Sequence, residues 1–249
     1  MSPDDWVRTY YTGEYLDSVA GILTPERTAD EISFIVDQTA LRPPARVADF
    51  GCGHGRHSLE LAQREFEVLG VDVNELPLSL ARQAASPELP VTFVQADYRV
   101  PPPGPFDLVI SLFGSFGFGS ESEDAATLRA WCASLDDSGW MVLELWHRDA
   151  IVSRFVPRRT WRASERLEVD EQRRFDPLSG RIHVRYEYDY ADGRRIGHQL
   201  AVRLYTAAEI RQILGSAGVG VVRLFGSLRG DPYSTSAGSM VIIARKGVG

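Results

Sequence analysis

The chain has 249 residues, 44% of them hydrophobic and 24% charged, with a formal net charge of −7 at pH 7. This is ordinary globular composition, with room for one large domain and an elaboration. The acidic balance argues against binding a nucleic-acid backbone, which draws on a basic face, and no apolar run approaches the ~18 residues that mark a membrane span.

The first residues are acidic and lack the apolar segment of a signal peptide. The two cysteines, Cys52 and Cys132, read as reduced thiols of an intracellular, cytoplasmic protein, since a cross-link at Cys52 would obstruct a glycine-rich turn. No Cys/His spacing fits a zinc site. Asp4 to Tyr11 predicts a short helix carrying Trp6, Tyr10 and Tyr11, with Tyr15 following; this aromatic group is either a core plug or a lid. Thr24-Pro25 starts a helix that runs to about Thr39: a capping hydroxyl, then proline at the first helical position.

Val47 to Phe50 reads as a buried strand, and the chain then turns through Gly51, Gly53 and Gly55 into a helix ending near Arg64. Strand, glycine turn and helix let a backbone approach a nucleotide-like ligand closely. The dinucleotide pattern G-x-G-x-x-G would need a third glycine where Arg56 stands, so no pyrophosphate is implied. Asp49 sits two residues before the turn and suits a ligand bearing a positive amine. The turn is otherwise only a tight connection. Phe66 to Val73 is the second strand, ending in Asp72 about twenty residues past the glycines, where an acid meets ribose hydroxyls or else caps the next helix. Glu75 to Ala85 is helical. Val91 to Gln95 is the third strand, followed by Asp97 and Tyr98, which suit an adenine amino group and its ring. Together these acids describe an adenosine with an aminocarboxylate tail.

Phe106 to Leu112 is a continuous apolar strand, as in a parallel sheet covered on both faces. The loop Phe113 to Gly119, three aromatics among glycines, serves either ligand contact or packing. A helix over Glu121–Leu135, a turn at Asp136–Gly139 and a strand over Trp140–Trp146 follow, with His147 at the strand's end. From about 153 to 205 the helical rhythm stops. Arg181 to Tyr190 alternates strictly, with Tyr186, Tyr188 and Tyr190 on one face, which predicts a three-stranded antiparallel meander. The arginines from Arg154 to Arg174 read as a solvated face, and His183 and His198 as exposed. A helix capped by Thr206 and a terminal hairpin, Gly220–Ser227 with Ser239–Arg245, complete the chain.

The set D-F-G-C-G-H-G-R-H, G-V-D-V, Q-A-D-Y and F-D-L-V-I-S-L-F-G-S-F-G-F resembles the class I S-adenosylmethionine-dependent methyltransferases over nearly the whole chain. L-T-P-E-R-T-A-D-E at 23–31, S-F-G-F at 115–118 and the meander are similar to small-molecule N-methyltransferases of antibiotic biosynthesis, acting on amino sugars and lincosamides. The resemblance implies an α/β, Rossmann-like seven-stranded sheet, order 3-2-1-4-5-7-6 with strand 7 antiparallel, helices on both faces and the inserted antiparallel meander. It implies a core over 1–152 and 206–249, with 153–205 as a substrate wall or oligomer interface.

The implied cofactor is S-adenosyl-L-methionine, with S-adenosyl-L-homocysteine as product. Asp49, Gly51 and Gly53 then lie near its methionine end, Arg56 reaches its carboxylate, Asp72 binds the ribose, Asp97 the adenine amine, and Leu112 lies beside the methionine. Val73, Tyr98 and Tyr11 join the cofactor-binding set; Tyr11, Tyr15, Phe116 and His147 are the catalytic candidates, with no metal. The absence of an Asp/Asn-Pro-Pro-Tyr run after the fourth strand disfavours base or glutamine-amide substrates. The expected partners are a small-molecule acceptor and further copies of the chain through the tyrosine face. O-methylation, a cofactor-binding protein without transfer (a cyclase or sensor) and a dehydrogenase are the competing readings.

Overall fold

The structure is a computed structural model that describes residues 13–248. The helix expected over Asp4–Tyr11, and Tyr11 with it, lies outside the described residues. Helices α1 (Gly13–Val19) and α2 (Pro25–Thr39) precede the sheet. Thr24 caps α2, its Oγ1 accepting from the Arg27 N–H at 3.2 Å. Five strands and four helices follow, with no helix between the third and fourth strands: β1 (Arg46–Phe50), α3 (Arg56–Gln63), β2 (Glu67–Asp72), α4 (Glu75–Ala84), β3 (Val91–Gln95), β4 (Phe106–Ser111), α5 (Glu121–Ser134), β5 (Leu135–Trp146) and a short α6 (Arg148–Ser153). Strands β6 (Arg158–Ser164), β7 (Leu167–Asp176), β8 (Arg181–Tyr190) and β9 (Arg195–Arg203) come next, then α7 (Ala207–Ser216), β10 (Val219–Phe225) and β11 (Ser239–Lys246).

The main sheet runs β3-β2-β1-β4-β5-β11-β10. Strands β1 to β5 are parallel, and β11 enters antiparallel between β5 and β10. The expected order holds. Right-handed crossovers put helices on both faces: α5 and α7 bury Leu128, Trp131, Ile210 and Leu214 on one side, and α2 and α3 bury Ile32, Ile35 and Leu61 on the other. The parallel strands' carboxyl ends therefore open on one edge, where such sheets place ligands. The expected turn at 136–139 is instead an excursion within β5, because Phe106 pairs with Leu135 while Leu108 pairs with Trp140.

The meander has four strands, not three, in the order β6-β7-β8-β9. In its first strand, R-R-T-W-R-A-S, only Trp161 and Ala163 turn inward, and the surrounding charge hides the pattern. The tyrosine face is largely covered by the chain itself. Tyr188 is 1% and Tyr186 8% exposed, packed among Leu167, Val169 and Leu200 with Tyr15, Trp146 and Ile151 against them. Among the described residues no helix is long and apolar enough to cross a membrane.

Candidate active site

The glycine turn between β1 and α3 forms one wall of a small cavity shared with Tyr15, Leu112 and Phe113. Gly53 has φ +56°, and a Cβ there would meet nothing within 4 Å, so the turn is bare toward the space a ligand would enter. Gly55 serves packing instead: a Cβ there would lie 2.7 Å from the Phe93 ring. Asp49 lies at the floor, 2% exposed, accepting from Ser58 Oγ at 2.6 Å. Burial pushes its carboxyl up to about 7; the Ser58 hydrogen bond and the Arg56 charge oppose this, and Asp72 adds to it.

Arg56, at the start of α3, donates through Nη1 to Glu31 at 2.5 Å and to Thr28 at 3.0 Å. Its Nη2 is buried with no hydrogen-bond partner among the described residues. Glu31, from α2, also takes Arg27 Nε at 2.7 Å and His57 Nε2 at 2.9 Å. Burial alone would raise Glu31, but these partners outweigh it and hold the carboxyl down at about 2. Burial likewise drives His57 down to about 4, so at neutral pH the imidazole is uncharged and its Nε2–H donates to Glu31.

Asp49, Gly51, Gly53, Arg56, Leu112 and Tyr15 thus meet around one cavity. Asp72, Val73, Asp97 and Tyr98 line neither that cavity nor the larger one beside it. Asp72 is tied to the turn, accepting from the Gly53 N–H at 2.9 Å and the Asn74 N–H at 2.9 Å. Asp97 closes β3's carboxyl end with its carboxylate held by Arg99, and Tyr98 sets its ring edge-on to Trp131.

The larger cavity, about 740 Å³, shares Tyr15 and Phe113 with the small one. Strand β5, α1 and the second sheet wall it. Three buried acids face it: Glu31, Glu144 from β5 and Glu171 from β7. Glu171 is 1% exposed and accepts from Arg159, Arg173 at 2.7 Å and Tyr186 Oη at 3.0 Å. Arg173 is therefore a covered cavity residue rather than part of a solvated face, while Arg159 reaches Glu171 from an exposed position at the cavity's rim. Glu144 and Glu171 escaped the sequence reading. The lone acid inside the apolar run W-M-V-L-E-L-W was a usable signal for Glu144; nothing local distinguishes Glu171 from its charged neighbours.

Two catalytic candidates leave the site. Phe116 is 3% exposed in the core, packed on Trp131 and Tyr205, because the 113–119 loop points Phe113 and Phe118 toward the cavity instead. His147 precedes α6 with its ring 1% exposed, 4.7 Å from the Tyr233 ring, and Nδ1 3.3 Å from the Ala237 carbonyl oxygen. Tyr15 stays, but burial raises its phenol far above the usual range and keeps it protonated. His198 is half-buried, 3.6 Å from Glu14. Among the described residues no cluster of three or more His, Cys, Asp or Glu is placed to hold a metal.

This sheet order, with a bare glycine turn at its carboxyl edge, is the Rossmann-like fold of S-adenosylmethionine-dependent methyltransferases. Residues 47–139 match the family described as Methyltransferase domain. The chain is similar over 100% of its length to 99% of the CcbJ methyltransferase from Streptomyces caelestis, with TM-score 0.82 at 19% identity, which speaks to fold. It is 27% identical, with TM-score 0.67, to S-adenosylmethionine-bound CalS10, an amino pentose methyltransferase from Micromonospora echinaspora involved in calicheamicin biosynthesis; 88% of this chain and 91% of that one align. Curated relatives match over only 20% to 31% of their own length. One is the ubiquinone biosynthesis O-methyltransferase of Hahella chejuensis, 47% identical over 47 residues, 19% of this chain and 20% of the relative.

The residues fit this cofactor. The spare Arg56 Nη2 suits a carboxylate, the buried Asp49 carboxyl suits an amine, and Gly53 leaves room for both.

Proposed function

We propose that the protein transfers a methyl group from S-adenosyl-L-methionine to an amine nitrogen of a small molecule of the antibiotic type. The observation that carries this reading is the pair of adjoining cavities. One is the glycine-turn cavity, and the other, about 740 Å³, is of small-molecule size and walled by the second sheet. Tyr15 and Phe113 stand at their shared boundary.

The bound cofactor supplies a methyl already activated on a positive sulfur. The chain's part is alignment and the exclusion of water, which in ideal systems is worth up to roughly 7–11 kcal/mol. Asp49 and Arg56 hold the tail by charge. Tyr15, kept as a phenol, donates a hydrogen bond or packs; it does not take a proton.

Among the described residues no histidine or lysine lines the larger cavity. A hydroxyl nucleophile leans on a strong general base, whereas an amine needs only an acceptor as weak as the carboxyls this cavity holds. The similarity to CalS10 supports the same choice. The second reading is O-methylation, favoured by the Hahella relative. Mass spectrometry of aminodeoxy sugars and their N-acetyl counterparts, each incubated with the cofactor, separates the two. The free amines are to gain one methyl and the acetylated forms none. Methylation of the acetylated forms would transfer the reading to a hydroxyl.

A further inference from the structure

We propose that Glu144 receives the acceptor's nitrogen as an ammonium and takes its proton, acting as the general base of the transfer. This rests on the methyltransferase reading above and adds to it a residue and a charge state for the acceptor.

Glu144 lies on β5 with 8% exposure and faces the larger cavity. Its Oε2 accepts from the Phe113 N–H at 2.9 Å, and its backbone carbonyl accepts from the Gly114 N–H at 3.1 Å. Phe113 borders both cavities, so the carboxyl stands beside their junction, where nucleophile and methyl must meet. Phe113 itself holds a left-handed backbone, φ +56°, a conformation that surrounding structure must impose on a non-glycine residue.

The other two buried acids of this cavity carry their own cations: Glu31 has Arg27 and Arg56, and Glu171 has Arg159 and Arg173. Among the described residues no cation pairs with Glu144. Burial pushes its carboxyl up and Glu31's charge adds to that; the Phe113 N–H, Ser239 and the Arg27 charge oppose it. A buried carboxylate without a counter-ion is costly, and a ligand cation removes that cost. An ammonium is such a cation. One N–H bond breaks, the proton moves to a Glu144 oxygen, and the nitrogen keeps the electron pair as the nucleophile's lone pair. The resulting neutral carboxyl is the state that burial favours. A carboxylate matches an ammonium in acidity far better than it matches a hydroxyl.

Sinefungin tests this by binding alone, because it carries an amine where the cofactor carries its methyl, and S-adenosylhomocysteine carries neither. Calorimetry is to show the wild type binding sinefungin at least about tenfold tighter than S-adenosylhomocysteine, as a charge-assisted hydrogen bond provides. Glu144→Gln still accepts from Phe113; it is to keep the S-adenosylhomocysteine affinity and lose the preference. Glu144→Asp, which retains the charge, is to keep part of the preference and stands as the second variant should the glutamine form fail to fold. A preference that survives in Glu144→Gln, or a wild type without one, overturns the role of Glu144. If the wild type binds neither compound, the methyltransferase reading beneath it fails first.

Discussion

The buried carboxyl of Asp49 makes cofactor affinity depend on pH in a way that can be worked out. Burial holds it near 7, and it lines the cavity that receives the cofactor's tail. Only the ionised form attracts the tail's ammonium. With a pKa of about 7 the ionised fraction rises from about 3% at pH 5.5 to about 50% at pH 7, so affinity for S-adenosylhomocysteine should grow about fifteenfold, or about 1.6 kcal/mol. At pH 6 binding should release close to one proton. His57, driven down to about 4, stays neutral throughout this window, and Glu31, held at about 2, stays ionised. The same shift has a stability sign for the free protein. Because the folded value lies above the unfolded one, Asp49's contribution is fully present below the usual carboxylate range and is lost as pH rises toward 7. Calorimetry in buffers of different ionisation enthalpy measures affinity and proton release together. Asp49→Asn should bind more weakly with a flat profile. A wild type whose affinity is flat from pH 5.5 to 7, with no proton released, would refute the reasoning.

Glu31→Gln should destabilise the fold by about 3–5 kcal/mol in urea titration, since Arg27 and Arg56 lose a shared buried counter-ion; a loss below about 1 kcal/mol would contradict that. His147→Ala should cost stability, through its buried packing on Tyr233, and leave the S-adenosylhomocysteine dissociation constant unchanged. A tenfold change in that constant would return His147 to the site. Gly53→Val imposes a β-branched side chain at φ +56°, a strain of about 1–2 kcal/mol, and fills the open space. Its S-adenosylhomocysteine affinity should fall at least about tenfold, and unaltered binding would move the ligand elsewhere.

The cofactor half of the site is legible in the chain because its parts are local. A strand end with Asp49, a glycine turn and the helix start with Arg56 follow one another directly, and a parallel sheet aligns strand ends whatever the rest does. The antiparallel β11 was equally legible, since two strands with no helix between them must pair as a hairpin. The acceptor half was not. Tyr15, Glu31, Phe113, Glu144 and Glu171 come from α1, α2, a loop, β5 and β7, and only packing brings them together. Alternation shows that Glu171 shares a face with Val169, but not which face is covered. Arginine pairing then inverts the usual inference, because Arg159 and Arg173 mark a buried acid. His147 misled for a related reason. It does stand at a strand's carboxyl end, yet α6 begins at the next residue and turns its ring under Tyr233.

Methyl transfer to nitrogen can be followed with a carbon-13 label on the transferred methyl. The protein is to be incubated with labelled S-adenosylmethionine and a set of aminodeoxy sugars and amino acids, and the products read by proton–carbon correlation NMR. A labelled methyl should appear at an N–CH3 carbon shift, and only with wild-type protein. A labelled methyl at an O–CH3 shift would contradict the choice of nitrogen. A label that never leaves a tightly bound cofactor, with every acceptor tried, would contradict transfer itself.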